Sequence, residues 1–313
     1  MRELTTRGYE AADAEAMAAL VNLIEAAAGG TAGFTPDWVA SIVRGMVGDP
    51  ATDTRLVLSP DGTPVAFGVV PTPPAGGFRL DLMGGVHPDW RGRGIGRELF
   101  GWELARAAEI HRAVAPDARW EVHAGALVTD EQAIRLYRRF GLEPVRYWFD
   151  MVAATVGAPV LETPHGLTVA TYRSAYEKDL YGAHTEAFAD HWGNQRRGFP
   201  EWSELTVRSE DFRPDLSALA FDGDEIAGYV LSYRDGDPAR IYIGQVGVRR
   251  PWRRRGLAGA LLSRVLRAAA ADGRESAMLG VDADSPTGAV GVYARVGFVV
   301  DGRWVTYALP LPR

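Results

Sequence analysis

The sequence predicts an α/β protein assembled from two copies of one domain, on three observations. Its 313 residues exceed a typical domain of ~100 to 200 residues, so two cores are expected. A long motif recurs once in each half. Around each copy, β-type runs and amphipathic helices follow in the same order.

The motif is Gly85-Val86-His87-Pro88-Asp89-Trp90-Arg91-Gly92-Arg93-Gly94-Ile95-Gly96 in the first half. In the second it is Gly247-Val248-Arg249-Arg250-Pro251-Trp252-Arg253-Arg254-Arg255-Gly256-Leu257-Ala258. A helix follows each, with Ile95, Leu99, Trp102 and Leu104 on one face of the first and Leu257, Leu261, Leu262, Val265 and Leu266 on that of the second. Further on, Ala133–Leu142 matches Ala289–Phe298, and both contain Tyr-x-x-x-Gly. Solenoid units repeat every ~20 to 50 residues, so a repeat this long implies duplicated domains.

In the first half the pattern predicts helices over 11–28 and 36–47, then strands over 54–58, 64–70 and 78–86 with a hairpin turn at Pro60-Asp61-Gly62. The motif helix over 94–110, a strand over 119–127, a helix over 130–140 and closing strands complete it. The second half predicts strands over 167–172, 216–221, 225–233, 239–248, 277–282 and 303–309, with helices over 175–188, 256–272 and 286–296. Periodicity breaks near 153–166, which divides the chain into domains 1–155 and 156–313.

Composition narrows the function. Hydrophobic residues make up 47% and charged residues 24%, as in ordinary globular protein, and the net charge is -6 with arginines interspersed among acids. No polybasic arm suggests nucleic acid. Absence of cysteine excludes disulfides, thiolate metal sites and an acyl-cysteine route. The histidines at 87, 111, 123, 165, 184 and 191 lack metal-ligand spacing, so no metal is expected. No signal-type leader and no run of ~18 apolar residues is present, so a cytoplasmic protein without a membrane partner is expected; whether it is a monomer or a homodimer stays open.

A strand running into an Arg/Gly-rich turn that opens a helix makes an anion site, because the first helical N–H groups lack internal partners and the dipole is positive there. Gly94 and Gly256 allow backbone to approach phosphate oxygens, and Gly96 and Ala258 keep the next turn small. Arg91, Gly92, Arg93 and Ile95, with Arg253, Arg254, Arg255 and Leu257, complete the two turns; guanidinium groups there suit phosphates. A dinucleotide fold is disfavoured, since G-x-G-x-x-G followed by an acid is missing, and no nucleotide-hydrolysis loop occurs.

Gly-Val-x6 leading into an Arg/Gly turn, followed by Tyr-x-x-x-Gly-Phe/Leu, resembles the acetyl-CoA motifs of the GCN5-related N-acetyltransferase (GNAT) superfamily, and the resemblance covers both halves. The tandem arrangement and Leu279–Ala289 are further similar to mycothiol synthase and its actinobacterial relatives. The resemblance implies two tandem folds, each a mixed, mostly antiparallel sheet flanked by helices and splayed to admit the pantetheine arm. Acetyl-CoA is the implied co-substrate. Val246, Gly247 and Val248 would lie on the splayed strand, with the Val248 N–H polarising the acetyl carbonyl, and Gly84, Gly85 and Val86 match them. Tyr293, matched by Tyr137, would protonate the departing thiolate. The position of the glutamate base expected in mycothiol synthase holds Tyr242; Gln245 cannot serve, and Asp81 in the first half is offset by one residue.

The acceptor pocket is expected in the helical region preceding the core sheet, from Phe188, His191 and Trp192 to Asn194 and at Glu201-Trp202, with Tyr242 also expected to bind substrate and Glu186 and Asp190 as candidate amine partners. The leading reading is acetyl transfer to a primary amine of a small molecule, in the C-terminal domain. Alternatives are acetylation of a protein or peptide α-amine, and a non-catalytic acyl-CoA-binding regulatory protein.

Overall fold

The structure, a computed structural model, describes residues 4–31 and 33–312. Two compact units emerge: residues up to Arg146 together with those from Trp304 on, and Tyr147–Arg303.

The first unit contains β1 (Thr5–Arg7), α1 (Ala14–Ala28), α2 (Pro36–Met46), α3 (Pro50–Asp53), β2 (Thr54–Leu58), β3 (Pro64–Val69), β4 (Arg79–Val86), α4 (Ile95–Val114), β5 (Glu121–Leu127) and α5 (Glu131–Arg139). Local chemistry sets several boundaries. Thr35 caps α2 by accepting from the Trp38 amide at 2.9 Å, with Pro36 at the first helical position, and Asp130 caps α5 through the amides of Gln132 and Ala133. The β2–β3 hairpin turns at Gly62, whose φ of 88° suits a residue without Cβ. β6 (Glu143–Ala154) follows.

The second unit contains β7 (Thr168–Thr171), α6 (Glu177–Ala187), α7 (Phe199–Leu205), β8 (Ala218–Asp222), β9 (Glu225–Arg234), β10 (Arg240–Val248), α8 (Leu257–Ala271), β11 (Ser276–Asp282) and α9 (Ala289–Arg295); β12 (Val299–Pro310) closes the chain. Strand order is β1-β2-β3-β4-β5-β12 in the first unit and β7-β8-β9-β10-β11-β6 in the second. Only β4 with β5, and β10 with β11, run parallel within them.

The compact units therefore do not coincide with segments 1–155 and 156–313. Trp148–Ala154 of β6 pair with β11, and Trp304–Pro310 of β12 pair with β5, so each sheet receives its last strand from the other half of the sequence. The cores follow the sheets: Met151 and Ala153 are buried with Leu261, Val265 and Leu279, while Val305, Tyr307 and Leu311 are buried with Leu80, Phe100 and Val122. Among the described residues no helix is long and apolar enough to cross a membrane, and no group of His, Cys, Asp or Glu could hold a metal ion.

Candidate active site

In each unit the two parallel strands pair only at their beginnings. β4 meets β5 from Arg79 to Leu82, and β10 meets β11 from Arg240 to Tyr242. Beyond these points Gly84–Val86 and Val246–Val248 edge an opening. The amides of His87 and Arg249 donate to the neighbouring antiparallel chain, at Val65 O (2.8 Å) and Ala227 O (3.0 Å). Strand alternation then turns the N–H groups of Val86 and Val248 the other way, into the opening.

The turns that follow alternate left-handed residues, Gly92 (φ 78°) with Gly94 (φ 87°) and Arg254 (φ 62°) with Gly256 (φ 82°). Such alternation gathers successive N–H groups into an anion-binding concavity, here at the starts of α4 and α8. Arg254 is the one non-glycine residue with positive φ among those described, a strained conformation where the first unit uses glycine. Ile95 and Leu257 are buried and anchor each turn to the core, and a Cβ on Gly96 would meet the Val86 side chain at 3.4 Å.

Arg91 and Arg253 make contacts within the protein. Their Nε atoms donate to Val86 O (3.2 Å) and Val248 O (3.1 Å), tying the turn back to the end of its strand. Arg253 also donates to Asp190 and to Ala187 O, so its donors are engaged within the protein. Arg93 donates to Asp89 O and lies over Trp90, whereas Arg254 and Arg255 are exposed and make no ion pair among the described residues. The free N–H groups, the exposed arginines and a cavity of about 260 Å³ beside Gly84–Val86 fit coenzyme A: the turns suit its pyrophosphate and the strand openings its extended arm.

The two tyrosines differ. Tyr137 is buried and its hydroxyl donates to Gly125 O on β5 at 3.1 Å; burial pushes its pKa up. Tyr293 is also buried, which pushes it up to about 12, but its hydroxyl makes no hydrogen bond among the described residues. The Tyr293 proton is uncommitted.

β10 is bulged where β4 is regular: its pairing with β9 shifts between Ile243 and Gln245, leaving Gly244 extra. Asp81 and Tyr242 consequently occupy the same step of their parallel ladders, opposite His123 and Met278, and the one-residue sequence offset is the bulge. Asp81 is held by Arg79 at 2.9 Å.

Over the bulge lies a cavity of about 230 Å³ lined by α6, α7 and the segment between them, including Tyr181, His184, Phe188, Arg196, Trp202 and Gln245. His184 Nδ1 is 2.8 Å from the Tyr229 hydroxyl, and its ring stacks on Phe188 at 4.6 Å. Burial pushes His184 down to about 4, against a smaller opposing effect of the Gln245 side chain. Burial raises Tyr229 well above its usual value, so it stays a phenol. Tyr229 also explains Gly247, since a Cβ there would overlap its ring. Gln245 Oε1 is buried without a hydrogen-bond partner among the described residues.

Of the residues expected to form the acceptor pocket, Phe188, Asn194 and Trp202 line this cavity. His191 and Trp192 pack on Trp148 at 6.0 Å, and Tyr242 is 38% exposed outside the lining. Glu186 pairs with Arg249 at 2.6 Å and Asp190 with Arg250 and Arg253, so both acids fasten the end of α6 to the turn and are spent as amine partners. Sequence reasoning missed His184 and Tyr229 and dismissed Gln245. The available signal was Gly244, a glycine inside a strand, which marks a bulge.

Comparison with known proteins agrees with this geometry. Residues 178–298 match the model of the acetyltransferase (GNAT) family, and residues 52–144 match an acetyltransferase (GNAT) domain. The mycothiol acetyltransferase of Streptomyces scabiei is 34% identical over 228 residues, covering 68% of this chain and 66% of its own, and that of Streptomyces avermitilis is 33% identical over 260 residues, covering 78% and 76%. A GCN5-related N-acetyltransferase from Sphaerobacter thermophilus superposes with a TM-score of 0.79 at 30% identity, over 99% of this chain and 96% of that one. Fold and site thus define an acyltransferase that uses acetyl-CoA as co-substrate. Within that class the chain belongs to the GNAT acetyltransferase family, with two GNAT domains in tandem.

Proposed function

We propose that the chain transfers an acetyl group from acetyl-CoA to a primary amine of a small molecule, and that transfer takes place in the second unit. The observation that carries this reading is the cavity over the β10 bulge, lined by Gln245 of the strand that leads to Val248 and by His184, in the same unit as Tyr293. A cavity of about 230 Å³ suits a small amine better than a folded protein surface. Relatives named mycothiol acetyltransferases support a small-molecule acceptor.

The thioester supplies an activated acyl group, to which the amine nitrogen bonds as the C–S bond breaks. The Val248 N–H stabilises the charge that develops on the carbonyl oxygen, a contribution of ~3 kcal/mol for a well-placed donor. Tyr293 gives its proton to the departing sulfur and is reprotonated, through water, by the proton that the nitrogen sheds as the amide forms. An imidazole that titrates near 4 is too weak to strip an alkylammonium, so His184 orients the neutral amine by hydrogen bonding and the ammonium proton leaves to water.

A screen of small amines with acetyl-CoA, following release of the free thiol, tests the reading. With a confirmed acceptor, His184→Ala is expected to raise KM more than it lowers kcat. Acetylation of peptide α-amines in preference to every small amine, or thiol release from none of them, rejects it.

A further inference from the structure

Glu103, in the third turn of α4, is 3% exposed. Its Oε1 is buried without a hydrogen-bond partner among the described residues. Burial pushes it well above the usual carboxylate range, which favours the neutral acid with an O–H to donate.

The backbone around it is cleared. A Cβ on Gly84 would lie 2.8 Å from Glu103 Oε1, and one on Gly68 would lie 3.0 Å away. Gly68 and Gly84 face each other across β3 and β4, as Val230 and Val246 do across β9 and β10. Counting from the first residue of each motif helix, Glu103 matches Val265. Where the second unit packs three valines, the first has two glycines and a carboxyl. Packing alone disfavours that exchange, since it gives up apolar contact and buries an oxygen with nothing to bond. The carboxyl lines the same cavity as Gly84, Gly85, Val86 and Tyr137. Eight residues into α4, it stands ~12 Å along the axis from the phosphate turn. That places it toward the sulfur end of a coenzyme arm, away from the phosphates.

We propose that Glu103 reads the acyl end of a coenzyme A thioester in the first unit's cleft, donating a hydrogen bond to the thioester carbonyl, so that this unit distinguishes the acylated coenzyme from a carbonyl-free one. The first unit is then a thioester-selective site, separate from transfer in the second.

Hydrogen–deuterium exchange of the full chain, titrated with acetyl-CoA or with S-ethyl-coenzyme A, provides the test, because the two probes differ only at the carbonyl. Peptides covering 79–97 report the first unit and those covering 240–258 the second. In the first unit acetyl-CoA binds ~10-fold more tightly than the thioether, the worth of one hydrogen bond of about 1.4 kcal/mol. Glu103→Gln, whose amide also donates, keeps the preference, and Glu103→Val abolishes it. The triple variant Gly68→Val, Gly84→Val, Glu103→Val restores the second unit's packing and guards against a cavity in the single variant. Equal affinities in the unsubstituted protein, no protection by either probe, loss of the preference in Glu103→Gln, or its survival in both valine variants overturns the proposal. Since the readout lies in the first unit's peptides, none of these outcomes bears on transfer in the second.

Discussion

In the first unit the strand carrying Gly84-Gly85-Val86 is regular, its face toward α4 holds the buried Glu103 carboxyl, and its opposite face meets the apolar Ile24 and Phe67. In the second the equivalent strand is bulged at Gly244, its face toward α8 packs valine, and its opposite face meets Tyr229 and His184. Two copies of one fold have thus placed their buried polar groups on opposite sides of the same strand. The second unit's cavity brings His184 and Gln245 together over that strand, the grouping on which the proposed amine site rests. A carboxyl behind the strand can address only what already lies in the opening.

The largest expected effect breaks the units apart. A chain ending at residue 155 lacks β12, and with it buried Val305, Tyr307 and Leu311; one starting at 156 lacks the buried Met151 and Ala153 of β6. Fully buried apolar side chains contribute about 1.5–3 kcal/mol each, so either loss is a large share of a domain's ~5–15 kcal/mol. Neither segment should unfold cooperatively in calorimetry, whereas residues 1–146 joined by a glycine linker to 304–313 should. Cooperative melting of 1–155 alone would show the exchanged strand to be dispensable.

Next in size is the tyrosine pair. Tyr293→Phe should lower kcat ~10²-fold while leaving coenzyme affinity little changed, as expected for proton delivery. Tyr137→Phe should be nearly silent in turnover and cost only the hydrogen bond to Gly125, ~1 kcal/mol of stability. The reverse pattern, read with both variants folded and the same acceptor, would move catalysis to the first unit.

The smallest effect sharpens the comparison of the turns. Arg254→Gly should raise the melting temperature by relieving ~1 kcal/mol of left-handed strain, and Gly92→Ala should lower it by a similar amount. An unchanged melting temperature in both would mean that the second turn carries no strain relative to the first.

Much of this was legible in the sequence where periodicity is strong. The motif helices, the strands leading into them and the hairpin at Gly62 fall close to where the pattern put them. Short elements such as Thr5–Arg7 and Phe199–Leu205 carry too few residues for a period to register. The strand exchange was illegible for a different reason: Glu143–Ala154 and Val299–Pro310 alternate in the same way whichever sheet they complete. At the site, the turns were visible because backbone geometry demands glycine there. The His184–Tyr229 contact joins residues 45 apart, and Glu103 reads as one more charged position on an amphipathic helix until its neighbours are known to be glycines.

The exchanged strands also fix an order of events during synthesis. Domains ordinarily fold as they emerge, the N-terminal one first. Here the second unit has all its residues once Arg303 has been made, while the first still waits for Trp304 and the residues after it. The half translated first is the last to be completed, and until the final strand leaves the ribosome the outer edge of β5 has nothing to pair with from its own unit.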